Sequence, residues 1–137
     1  MARNRQKSKG RSGGPPPFVQ VYYALLECPN YATLSPRAVK LLYDLYGQYR
    51  GHNNGDFTMA WSIMSTKGWN SKDQLNKARL ELLQKGFIVQ TRQGWNNHCS
   101  LYGVTFQPID ECGGKLDMQP TRTSLGWWKD GKPPEQN

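Results

Sequence analysis

Two segments between residues 36 and 86 place their hydrophobic residues at helical spacing. The first begins with Ser35 and Pro36, and a serine N-cap before a proline at the first helical position is typical of a helix start. The stripe that follows extends to Arg50, and Gly51 is expected to end the helix. The residues of this stripe are Ala38, Leu41, Leu42, Leu45 and Tyr49.

The second segment predicts a helix from Ser71 to the residues before Gly86. Ser71 followed three residues later by Gln74 is a capping-box pattern, and glycine favours the left-handed conformation that often follows a last helical turn. A shorter helix is predicted from about residue 59 to residue 66, with Thr58 as its cap. The residues predicted to face inward are Leu75, Ala78, Leu82 and Leu83 in the long helix and Ala60, Ile63 and Met64 in the short one.

Alternation and turn residues predict strands after the long helix. Residues 87–92 and 99–106 are β runs, and residues 93–97 between them have the glycine and asparagine content of a hairpin tip. Residues 56–58 are predicted to add a short third strand. Asn54 and Gly55 suit a turn with a positive φ angle, and Gly68 suits the turn between the two helices.

The two ends of the chain have different compositions. Residues 1–17 lack an aliphatic pattern and end in Gly-Gly-Pro-Pro-Pro, which predicts a disordered arm with a stiff spacer. Residues 18–26 are ambiguous between a strand and a short helix; extended chain leading into a helical turn at residues 22–27 is favoured, and Pro29 is expected to break it. Glycine and proline predict an irregular tail beyond Phe106, in which Trp127 and Trp128 dock on the domain or on a partner, the domain being favoured.

The order helix, tight turn, helix and hairpin predicts an α+β fold of the winged helix-turn-helix type. Its three-helix core and β-hairpin wing occupy residues 18–107, between a flexible basic arm (residues 1–17) and an irregular C-terminal tail (residues 108–137) that contains tryptophan. A chain of 137 residues is long enough for one such domain.

The formal net charge of +8 favours a polyanionic partner. Residues 36–107 carry nine Lys and Arg against four Asp and Glu, whereas residues 108–137 are slightly acidic. Charge alone also fits ribosomal or lipid-binding proteins. Five further cations lie in the arm, where they could contact DNA backbone or minor groove or only solubilise the chain: Arg3, Arg5, Lys7, Lys9 and Arg11.

The long helix is predicted to read base edges in a DNA major groove. Lysine donors suit guanine, and the amides of asparagine and glutamine suit adenine. The hairpin tip is expected to lie near phosphate, although Trp95 could instead pack on its own hairpin. The candidate contacts are Asn70, Ser71, Lys72, Gln74, Asn76 and Lys77 in the helix and Arg92, Gln93, Trp95 and Asn96 in the wing.

Residues 18–106 also share a set of motifs with a known group of proteins. The motifs are Phe18-Val19, Leu34-Ser35, Ala38, Leu41, Leu45-Tyr46, Tyr49-Arg50-Gly51, Asn53-Asn54-Gly55, Ala78, Leu82, Gly86-Phe87-Ile88, Leu101-Tyr102 and Val104-Thr105-Phe106. With them the chain resembles small winged helix-turn-helix proteins of bacteria, which are often encoded on plasmids, prophages and integrated elements. This resemblance implies a winged helix and DNA binding, and a weaker similarity to plasmid and phage replication initiators implies origin binding.

The chain departs from that family at Trp69, in the tryptophan-containing wing tip and at Asp73-Gln74-Leu75, where a Thr-Val or Thr-Ala pair is usual. These departures leave the target sequence open.

The favoured hypothesis is a sequence-specific double-stranded DNA-binding regulator of transcription, plausibly of a mobile genetic element. The alternatives are a plasmid or phage protein that binds a replication origin or recombination site, and a protein-interaction module, which the positive charge disfavours. The oligomeric state is open, and a homodimer is compatible with the sequence.

An enzyme is not expected, because neither His52 nor His98 belongs to a catalytic constellation and no nucleotide-binding motif occurs. The odd number of cysteines and their spacing predict neither a disulfide framework nor a metal site. No cofactor, small-molecule ligand or membrane span is expected, and the predicted location is the cytoplasm, with nucleoid association when the protein is bound to DNA.

Overall fold

The structure is a computed structural model that describes residues 14–131. These residues form a mixed α+β fold with five α-helices and one three-stranded antiparallel sheet. Short 3₁₀ turns occur at Ser65–Lys67, Cys112–Gly114 and Trp127–Lys129. The elements are α1 (Tyr23–Leu26), α2 (Pro29–Ala32), α3 (Pro36–Tyr46), β1 (Phe57–Thr58), α4 (Trp61–Met64), α5 (Lys72–Gln84), β2 (Ile88–Arg92) and β3 (Leu101–Val104).

Helix α3 begins where the sequence predicts. Ser35 Oγ accepts a hydrogen bond from the Ala38 amide (3.2 Å), and the predicted stripe is buried from Ala38 to Leu45, while Tyr49 lies beyond the helix and is only partly buried. The helix ends at Tyr46, however, four residues before the predicted end. The amides of Gln48 and Tyr49 bond carbonyls only three residues back, so the chain leaves the α-helical path before Gly51 is reached.

The segment before α3 confirms the predicted helical turn, which is α1, and the chain breaks before Pro29 as expected, since Cys28 is extended; the second helix at Pro29 was not predicted. Pro29 begins α2, because a proline at the first helical position lacks an N–H group that the helix would leave unpaired there anyway.

Helix α4 is shorter than predicted, and two of its predicted features are wrong. Ala60 is the N-cap, while Thr58 Oγ accepts from the Ala60 amide (3.1 Å) ahead of the helix. Met64 is buried as predicted, but Ile63 is 38% exposed. The chain tightens into the 3₁₀ turn Ser65–Lys67 after Met64 and then reverses at Gly68, whose φ of 95° confirms the predicted turn residue.

Helix α5 starts after Ser71, as predicted, and packs on α3 through Leu75, Ala78 and Leu82. The Ser35 amide and hydroxyl each donate to the Glu81 carboxylate at 2.7 Å, which joins the start of α3 to the last turns of α5. Gly86 has a φ of 80° after the helix, as predicted.

The sheet has the order β1-β3-β2. Pairing of Phe57 with Tyr102 confirms the predicted third strand. Both hairpin strands are shorter than predicted, and the register of β2 against β3 shifts between Gln90 and Arg92. Gly94 suits the tip, because a side chain there would meet the Ser100 amide nitrogen at 2.7 Å.

Asn54 is completely buried and ties the turn before β1 to the chain after β3. Its Oδ1 accepts from the Val104 amide (2.8 Å), and its Nδ2 lies 3.0 Å from the carbonyl oxygens of Val104 and Pro108. The Asn54 backbone amide donates to the Asp110 carboxylate at 2.8 Å, and the Asp110 backbone amide donates to the Asn54 carbonyl at 3.0 Å. A single side chain thus satisfies several backbone groups that are shielded from water.

The chain after β3 has little regular structure but packs on the domain. Ile109 is fully buried and Trp128 nearly so, which confirms that this tryptophan docks on the domain. Asn30 Nδ2 donates to the carbonyls of Trp128 and Lys85, both at 2.9 Å, and so links the docked segment to the end of α5. No helix among residues 14–131 is long and apolar enough to cross a membrane.

Replacing Asn54 with alanine is expected to lower the free energy of unfolding by roughly 2–4 kcal/mol, because buried backbone groups lose their partners. Urea denaturation measures the change. Asn97→Ala at the exposed hairpin tip is the matched control and should stay within about 0.5 kcal/mol of the parent. An Asn54→Ala variant as stable as this control would contradict the role of the buried amide.

Glu81 supplies a pH-dependent contribution to stability. Partial burial pushes its pKa up, but hydrogen bonds from Ser35 and the nearby Lys85 ammonium outweigh burial, so the pKa lies below its ordinary value of 4.5. A lowered carboxyl pKa stabilises the fold above the unfolded-state pKa, and this contribution is lost as pH falls through the folded-state pKa.

Glu81→Gln should therefore reduce the free energy of unfolding by roughly 1–3 kcal/mol at pH 7 and by much less near pH 3. Denaturation curves at the two pH values measure the difference. Glu27→Gln, at an exposed carboxylate, is the matched control and should stay within about 0.5 kcal/mol of the parent. If Glu81→Gln lowers the free energy of unfolding by the same amount at both pH values, the Glu81 charge does not contribute to stability.

Candidate nucleic-acid interface

One face of helix α5 is buried and apolar, and the opposite face is polar except for the exposed Leu80. Its buried residues pack on α3, and the polar residues predicted as contacts from Lys72 to Lys77 are all exposed on the opposite side. The fold thus brings Lys72, Gln74, Asn76 and Lys77 onto one accessible surface, with Asn70 and Ser71 just before it. Ser71 Oγ is engaged within the helix, where it accepts from the Gln74 amide at 3.2 Å.

Both side-chain amides on this surface are held by arginines. Arg37, on the first turn of α3, donates to Gln74 Oε1. Arg79 donates to Asn76 Oδ1 through Nε (3.1 Å) and through a terminal guanidinium nitrogen (2.7 Å). Because a guanidinium has donors only, the amide oxygens must face the arginines and the NH₂ groups must point elsewhere.

The two lysines of the surface also have neighbours. Lys77 Nζ lies 3.1 Å from the Asp73 carboxylate one turn earlier, and Lys72 Nζ lies 5.7 Å from the centre of the Trp61 ring. An exposed pair of this kind stabilises a helix by only about 0.3–0.5 kcal/mol, so Lys77 is readily available to an anion.

The turn that leads into α5 is anchored by Trp69. Its ring is buried, and its Nε1 donates to the Asp44 carboxylate of α3 at 2.8 Å. Lys40 donates to the same carboxylate (2.9 Å) and to the Lys67 carbonyl (2.7 Å) while its Nζ lies 5.5 Å from the Trp69 ring centre. These contacts fix the first turn of α5 relative to α3.

The hairpin tip packs largely on itself. The Trp95 ring stacks on His98 with centres 4.6 Å apart, and the Arg92 guanidinium lies over Trp95 while donating to the Cys99 carbonyl at 2.7 Å. The backbone amide of Gln93 donates to the Asp117 carboxylate at 2.8 Å. Asn96 occupies the left-handed region with a φ of 42°. Trp95 nevertheless remains 52% exposed, so its outer face is accessible.

An open groove of about 380 Å³ separates α5 from the start of β3. Lys72, Asn76 and Arg79 line it from the helix, and Cys99 and Ser100 line it from the hairpin. The helix surface and the hairpin therefore flank the same groove. The predicted tip contacts lie beyond it and do not line it: Arg92, Gln93, Trp95 and Asn96.

The sequence analysis did not identify three residues that contact this surface: Arg37, Trp61 and Arg79. The contact of Arg79 with Asn76 could have been predicted, because residues three apart on a helix are neighbours. Arg37 and Trp61 meet α5 only through the tertiary fold, so nothing in the local sequence indicates their contacts. The cationic residues of the predicted arm lie outside the described residues: Arg3, Arg5, Lys7, Lys9 and Arg11.

Among residues 14–131, no cluster of three or more His, Cys, Asp or Glu side chains could hold a metal ion. Comparison of the chain with protein-family models, curated proteins and solved structures found no match.

Proposed function

We propose that residues 18–107 form a winged helix-turn-helix that binds specific sequences of double-stranded DNA. In this proposal α5 is the recognition helix, the turn around Gly68 joins it to α4, and the hairpin of β2 and β3 is the wing. The main observation in support of this proposal is that polar residues of α5 and residues of the hairpin line the same open groove. A ligand that enters between them meets both elements at once.

The order of elements supports this assignment. The chain runs α3, β1, α4, α5, β2 and β3, and the sheet order β1-β3-β2 places the hairpin beside the short third strand. The 13 residues of α5 span about 20 Å, and a major groove about 12 Å wide admits a helix.

The chemistry of the surface supports a polyanion as the ligand. Lys72, Lys77 and Arg79 lie on or beside the exposed side of α5, and Asp73 is the only acidic residue of its first turn. Phosphate contacts would supply affinity and register, and the polar groups of α5 would supply base readout.

The proposed role is regulation of transcription by binding to operator DNA of a mobile genetic element. Selection of bound sequences from a random duplex library tests the binding function directly. A palindromic consensus would indicate a dimer acting on an operator, and an array of direct repeats would favour the alternative of an origin-binding protein. Failure to enrich any sequence would refute sequence-specific binding.

The double substitution Asn76→Ala and Lys77→Ala is expected to weaken discrimination between the selected site and unrelated DNA by about 1–3 kcal/mol, because it removes base-edge donors. Titration of both duplexes, followed by fluorescence anisotropy, measures it. Gln119→Ala with Lys129→Ala removes one amide and one charge at exposed positions of the C-terminal segment and should leave discrimination unchanged. Equal discrimination by both double variants, with folding intact, would rule out this face of α5.

The arm is proposed to bind phosphates without reading sequence. Each phosphate neutralised contributes about −0.9 to the slope of log affinity against log salt concentration. Removing residues 1–14, with five cationic side chains, should therefore flatten the slope by about three to four units and change sequence preference little. Binding measured across salt concentrations tests this. Parallel lines for the full and shortened chains would show that the arm only solubilises the protein.

A further inference from the structure

The side-chain oxygen of Asn76 is hydrogen-bonded within the protein, whereas its side-chain NH₂ group is free within the described part of the chain. Asn76 Oδ1 receives two hydrogen bonds from the Arg79 guanidinium, at 3.1 and 2.7 Å, so a cationic group covers this oxygen. Within residues 14–131, the Nδ2 group of the same side chain has no hydrogen-bond partner. Asn76 therefore offers a ligand two donors and no acceptor.

This arrangement decides which base edge the side chain fits. An asparagine reads adenine by accepting from the N6 amino group while donating to N7. Guanine presents two acceptors, O6 and N7, and needs donors alone. An asparagine whose oxygen is already covered by a guanidinium pairs poorly with adenine, because the adenine amino group would have to compete with a cationic donor for that oxygen.

The rest of the surface has the same polarity. Gln74 Oε1 accepts from Arg37, so its NH₂ group is directed away from α3. Lys72 is a pure donor beside the groove, and Arg79 keeps a terminal NH₂ group that is not bonded to Asn76. The polar side chains of α5 that line the groove are Lys72, Asn76 and Arg79, and all three present donors to it, whereas Gln74 lies outside the groove.

We infer that the Arg79–Asn76 pair makes α5 a reader of guanine rather than adenine at the base pair that Asn76 contacts. The inference rests on the proposed function and names the base class of its target. Arg79 is a positioning residue for this preference, since it acts by occupying Asn76 Oδ1. Preference for guanine over adenine at that position should be roughly tenfold, within the usual range for one good base contact.

Arg79→Met tests the inference because methionine keeps the bulk of the side chain but frees Asn76 Oδ1. Sites are selected from random duplex DNA with the parent and with the variant, and affinities are measured for duplexes that differ by guanine or adenine at the enriched position. The parent should prefer guanine about tenfold, and Arg79→Met should lose or reverse that preference. Arg122→Met removes a cation from an exposed position of the C-terminal segment without freeing an amide and is the matched control, in which the preference should persist.

Asn76→Ala identifies the base pair concerned, since its loss should abolish discrimination there whatever residue occupies position 79. Circular dichroism establishes that each variant is folded. A preference for adenine in the parent would overturn the inference. So would an Arg79→Met variant that loses affinity for all duplexes by the same factor and keeps the preference for guanine. In both cases sequence-specific binding would still stand. If the parent enriches no sequence at all, the proposed function itself fails, and the base preference fails with it.

Discussion

The buried side chain of Asn54 is the constraint on which the arrangement of sheet and C-terminal segment depends. It bonds backbone groups on both sides of the chain reversal that follows β3, from Val104 to Pro108. Leaving a buried amide without a partner costs more free energy than a hydrogen bond normally contributes to stability. The turn is therefore held where every one of these groups is paired. The hairpin is connected to that turn through β3, and its direction relative to α5 follows.

Helix α5 is held from the other side by α3 and the segments around it. Ser35 bonds Glu81 near its C-terminal end, and Asp44 bonds Trp69 just before its start. These contacts fix both ends of the helix, while Ala78 packs in the middle. A recognition surface gains from such rigidity, because side chains that are already placed lose less conformational entropy on binding. The polar side of α5 is therefore free to vary without loss of the fold.

The parts of this fold that the sequence predicts are those with local signals. Ser35 and Ser71 are N-caps followed by periodic apolar residues, and each begins a helix as expected. The burial of Asn54 was not predictable, since an Asn-Gly pair indicates only a turn and its partners lie about fifty residues later. The end of α3 and the exposure of Ile63 depended likewise on tertiary packing. For the candidate site, the exposed residues of α5 were predicted, but the contact from Arg37 to Gln74 spans 37 positions and has no local signature.

The arginine contacts change what a list of polar residues implies. Asn76 and Gln74 by type alone suggest readout of adenine, because a free amide carries one donor group and one acceptor. Once a guanidinium occupies the oxygen, the same residue is a donor only, and its preference follows from the neighbour rather than from its own identity. A base code assigned residue by residue therefore fails wherever side chains of the helix bond one another. In the proposed recognition of DNA the relevant unit is the hydrogen-bonded pair, here Asn76 together with Arg79.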